Sequence, residues 1–67
     1  MSMLKVIEVL AQSDKSFDDA ARSAVANAAK TVRNIESIYI KDMSAKVEND
    51  KITQYRITAK ISFMLED

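Results

Sequence analysis

The 67 residues allow one small domain, residues 1–67. Ten basic and ten acidic residues cancel, so the basic excess expected of a nucleic-acid binder is missing. Cysteine and histidine are absent, which excludes disulfides, thiolate and imidazole metal ligands, and the usual general base near neutral pH.

A chain of this size buries roughly 60% of its unfolded surface, so a lone core is marginal. With no disulfide or metal cage, association with copies of itself or with a partner is the remaining remedy. The apolar runs are too short for a membrane span. The opening Met-Ser-Met-Leu-Lys-Val lacks the apolar core of a signal peptide. The expectation is a soluble, cytoplasmic protein with neither membrane nor nucleic acid as partner. Glycine and proline are also absent, so every turn must use Asn, Asp or Ser, and long elements follow.

Met3 to Ala11 carries Leu4, Val6 and Leu10 on one parity and Ile7 and Val9 on the other. This predicts a strand covered on both faces. A loop, Ala-Gln-Ser-Asp-Lys-Ser, follows. Ser16 is a good N-cap, and with Asp19 it forms a variant of the capping box. The helix is predicted over 17–33. Phe17, Ala21, Ala24, Val25, Ala28, Val32 and then Ile35 form its buried stripe. Mostly alanine, that stripe lets the helix lie close to a sheet. Lys30 and Arg33 fall in the predicted last turn, and Asn34 can adopt the left-handed conformation beyond it.

The second strand is predicted over 35–47, and its pattern changes parity. Ile38 and Ile40 are even, whereas Met43, Ala45 and Val47 are odd. A strand of period two cannot keep both sets on one face, so a bulge is predicted near Lys41 and Asp42. The third strand, over 51–65, is cleaner. Tyr55, Ile57, Ala59, Ile61, Phe63 and Leu65 alternate with Gln54, Arg56, Thr58, Lys60 and Ser62. Glu48-Asn49-Asp50-Lys51 makes the hairpin turn. The fold class is therefore α+β, in the order β-α-β-β, with a three-stranded antiparallel sheet of order 1-3-2 packed on one helix. A strand of about 13 residues spans roughly 43 Å, longer than such a helix can cover. Met43, Ala45 and Val47 then overhang and need another subunit.

The stretch KVIEVLAQSDKSFDDAARSAVANAAKTVRNI, followed by a long hairpin ending YRITAKISFMLED, resembles the dodecin family. The resemblance covers nearly the whole chain: the Lys-Val-Ile-Glu start, Ser-Phe opening the helix, Thr-Val-Arg-Asn-Ile closing it, and the Leu-Glu-Asp end. It implies a hollow homododecamer that binds flavin, riboflavin or FMN, in stacked pairs at subunit interfaces, for storage or protection from light. Five positions bear on that ligand, and one keeps the family's residue type. The flavin-stacking tryptophan corresponds to Ser37. The glutamine that reads the flavin's pyrimidine edge corresponds to Arg56. Phosphate-reaching arginines correspond to Ser44 and Met64. The acidic residue is kept, as Asp42.

Each position has a plainer reading. Ser37 suits a solvated strand, Arg56 a cross-strand ion pair, and Asp42 a bulge. Met43 and Met64 read as interface gap-fillers. Glu48, Asn49 and Asp50 suggest calcium, but their spacing is not that of an EF-hand loop and a solvated turn explains them. Tyr39 and Tyr55 with Lys60 are the only acid–base set to be imagined, and nothing specifies them, so no enzyme is expected. Flavin binding through Ser37, Asp42 and Arg56 is the reading adopted. The alternative is a shell of the same fold that has lost flavin and holds another small anion or cation, or nothing.

Overall fold

The computed structural model describes residues 2–65. The family-like end Leu-Glu-Asp falls partly outside them, at Glu66 and Asp67. Strand β1 (Leu4–Ser13) leads to helix α1 (Phe17–Ala28), then to β2 (Ile35–Glu48) and β3 (Lys51–Met64). The three strands form one antiparallel sheet in the order β1-β3-β2, as the patterning predicts.

The odd residues of β3 face the helix. Ile57, Ala59 and Ile61 are buried there with Ala20, packed by Val9, Ala11, Phe17, Ile38 and Ile40. Phe17 meets Tyr55 edge to face, with ring centroids 5.1 Å apart. On the helix Ala20, outside the predicted stripe, is fully buried, while Ala21 of that stripe is partly buried and packs against the same cluster. Ala24 is buried as expected.

The helix begins where predicted. Ser16 accepts from the Asp19 amide at 2.9 Å. The capping box itself is replaced by a relay through Ser13, which is buried at the end of β1. The Ser13 hydroxyl donates to the Asp19 carboxylate at 2.7 Å and accepts from the amides of Lys15 and Ser16. The Asp19 carboxylate thus reaches the helix start through a hydroxyl, where a Glu would reach the Ser16 amide directly. Ser13→Ala should strand these groups and cost about 1–3 kcal/mol. A lowered denaturation midpoint at unchanged slope is the expected readout; an unchanged midpoint would show the relay to be dispensable.

The helix ends five residues earlier than predicted. Beyond Ala28 the chain tightens: Lys30 donates to Asn27 and Thr31 to Ala28, three residues back. The β-branched pair Thr31-Val32 disfavours continuation, and the last helical turn holds no basic residue, so Lys30 and Arg33 lie outside it. Asn34 does adopt a left-handed φ of 63°, but it turns the connection into β2 rather than capping α1. Asn49 and Asp50 share that region at 51° and 63°, as a two-residue type I′ hairpin requires.

The bulge is present: Ile40 pairs with Ala59 and Asp42 with Thr58, leaving Lys41 as the extra residue. Two further irregularities occur, at Glu36 on β2 and Thr53 on β3. The Lys41 bulge returns Met43 and Ala45 to the helix side, opposite Ile57 and Tyr55. No helix lies over them there. The hairpin strands hold 14 residues each and the helix 12, in a molecule 52 Å long. Met43, Val47 and Ile52 are exposed apolar side chains in consequence. Strand β1 also differs from expectation. The helix covers one side, while Leu4, Val6 and Leu10 on the other remain exposed.

Candidate functional site

The sheet face away from the helix gathers the ligand-facing candidates. Strand register assigns to it Ser37, Tyr39, Asp42, Ser44 and Lys46 from β2. Opposite them stand Ser62, Lys60, Thr58, Arg56 and Gln54 of β3. Strand β1 adds Val6, Glu8, Leu10 and Gln12 beyond β3. All three predicted site residues, Ser37, Asp42 and Arg56, therefore share one face.

They do not converge within one chain. Ser37 lies opposite Ser62, and Arg56 is six residues further along β3, about 20 Å away at roughly 3.3 Å per residue. Asp42 lies between them, opposite Thr58. A single ring system meets both Ser37 and Arg56 only if two chains contribute.

The local contacts are specific. Ser37 and Ser62 join their hydroxyls across the strands. Arg56 donates its Nε–H to Gln12 Oε1 at 3.0 Å, which holds the guanidinium plane and leaves the two terminal amino groups available. The sequence placed Gln12 in a loop; the extension of β1 to Ser13 sets it beside Arg56. Lys41, the bulged residue, reaches over the face to Glu8 at 3.5 Å. Arg56, Asp42 and Lys60 form no ion pair among the described residues. The plainer reading of Arg56 as a cross-strand ion-pair member is therefore replaced by a neutral partner. No group of three or more acidic residues suited to a metal ion occurs among the described residues. No helix among them is long and apolar enough to cross a membrane.

A family model described as Dodecin matches residues 3–66. The chain belongs to the dodecin family. The dodecin of Thermus thermophilus is 24% identical over 63 residues, 94% of this chain and 91% of that one. The structure of dodecin from Streptomyces coelicolor superposes with a TM-score of 0.93 at 26% identity, covering 98% of this chain and 94% of the other. A calcium dodecin from Mycobacterium tuberculosis, described as a calcium-chelating immunodominant antigen with a novel calcium-binding site, gives 0.82 at 32% identity, over 97% and 93% of the two chains. The β-α-β-β topology of this chain is thus the dodecin fold.

Proposed function

We propose that this dodecin binds flavin, riboflavin or FMN, non-covalently at subunit interfaces of a homododecameric shell, and acts in storage rather than catalysis. The observation that carries the reading is the placement of Ser37, Asp42 and Arg56 on one face. These are positions at which the resemblance implies ligand contacts. The overhanging Met43, Val47 and Ile52 support assembly, because a chain this small loses a large share of its apolar burial by leaving them in water. Assembly is also what the polar face needs, because a single ring system meets both Ser37 and Arg56 only if two chains contribute. Arg56 offers donors only, so it suits ring carbonyls or an anionic group and not a ring N–H.

Light scattering should give twelve times the 7.5 kDa chain mass. Riboflavin fluorescence should be quenched on addition of the shell. A stable folded monomer at micromolar concentration would remove the shell, and an unchanged emission would remove the flavin. The second reading, a shell serving a small cation or anion, is favoured by Ser37 in the stacking position and by the similarity to the calcium dodecin. Calcium titration by calorimetry alongside the flavin titration separates the two.

A further inference from the structure

Tyr39 lies two residues from Ser37 on the same strand and the same face, roughly 7 Å along it. It is 63% exposed. Its ring is the one aromatic group on that face among the described residues. Phe17 and Tyr55 pack on each other on the helix side, and Phe63 shares the parity of Ile57, Ala59 and Ile61. Its hydroxyl makes no hydrogen bond among the described residues. Its cross-strand neighbour is Lys60, whose ammonium makes no ion pair among the described residues; Glu8, on the other flank of Lys60, pairs with Lys41. A bare aromatic plane thus stands beside an uncommitted cation on the face that holds Ser37, Asp42 and Arg56.

We infer that Tyr39 is the stacking platform for a planar aromatic ligand, taking over the contact that Ser37 cannot make. The inference rests on the flavin reading and names the side chain through which it operates. A tyrosine ring stacks on an extended heteroaromatic plane by offset overlap and loses little conformational freedom in doing so. Lys60 adds attraction for ligands carrying negative charge or carbonyl oxygens near the ring. The phenol oxygen is not needed for this role, so phenylalanine should replace tyrosine and an aliphatic residue should not.

The test is a riboflavin fluorescence titration of the full chain. The variants are Tyr39→Phe, Tyr39→Leu, Tyr39→Thr and Ser37→Trp, the last with and without Tyr39→Leu. Tyr39→Phe should bind within about twofold of the parent, and the Leu and Thr variants about three- to tenfold more weakly. The loss should shrink in the Ser37→Trp background, where an indole supplies a plane. Parent-like affinity in both the Leu and Thr variants would overturn the role of Tyr39 and leave the flavin reading standing. A parent that fails to bind while Ser37→Trp binds would overturn both the flavin reading of this chain and the role of Tyr39. Failure of every protein to quench riboflavin, Ser37→Trp included, would overturn the flavin reading and the inference with it. A second measurement avoids substitution. In protein labelled with meta-fluorotyrosine, riboflavin should shift the fluorine resonance of Tyr39 and leave that of Tyr55, packed against Phe17, in place. A shift at neither tyrosine under saturating riboflavin would also overturn the inference.

Discussion

Ala20→Leu should lower the melting temperature by about 5–20 °C, more than any surface substitution in the chain. Ala20 is fully buried between the helix and the sheet, against Ile57 and Ala59. Its methyl group sets the distance at which α1 lies on β1 and β3. The extra carbons of leucine have no space there, so the helix must lift or the side chains must leave their rotamers, at about 1–3 kcal/mol. A 67-residue domain has only about 3–10 kcal/mol to lose. Ala24→Leu should follow in the same direction. Ala26→Leu, on the exposed side of the helix, is the control, because leucine and alanine are similar helix formers. Melting should be compared at one protein concentration, since assembly adds to apparent stability. Equal melting of the Ala20 and Ala26 variants would mean that the helix rests on a different face.

The position of Ala20 shows what alanine-rich patterning can and cannot convey. Ala20, Ala21 and Ala24 all satisfy three- or four-residue spacing from Phe17 or from one another, so the composition marks a close-packing helix but not which methyl is innermost. The bulge at Lys41 was legible because Ile38 and Ile40 disagree in parity with Met43 and Ala45. The same signal existed at Glu36, where Ile35 and Ile38 also disagree. Assigning Ile35 to the end of the helix stripe concealed it. At Thr53 the off-parity residue was Ile52. The helix end was missed because no glycine marks it; Thr31-Val32 was the usable cue. The extent of β1 was missed because Gln12 and Ser13 are polar. Both acquire partners, Arg56 and Asp19, that lie far along the chain or beyond the loop. On the sheet face away from the helix, Ser37, Asp42 and Arg56 stand out only through the resemblance to the family pattern. Gln12, Ser62 and the isolation of Tyr39 came only from register.

Ser37→Trp combined with Arg56→Gln should bind riboflavin about tenfold or more tightly than the parent. The two positions lie on strands whose course depends on the Lys41 bulge and on β3, not on their own side chains. Replacing Ser37 gives up one exposed hydroxyl contact to Ser62 and gains a large rigid plane, worth about 0.5–1.5 kcal/mol beyond area burial when it stacks. Replacing Arg56 gives up the Gln12 contact and gains an amide that both donates and accepts, matching a lactam edge better than a guanidinium does. About 1 kcal/mol from each is a factor of five or so, which is the origin of the expected gain. The 20 Å between the positions within one chain sharpens the test. If neighbouring chains bring them to one ring, the double variant should depart from the sum of the singles, as contacting groups do. If they serve separate places on the face, the effects should simply add. Fluorescence titrations of the parent, both singles and the double distinguish these cases. Equal affinity across all four would mean that neither position touches the flavin.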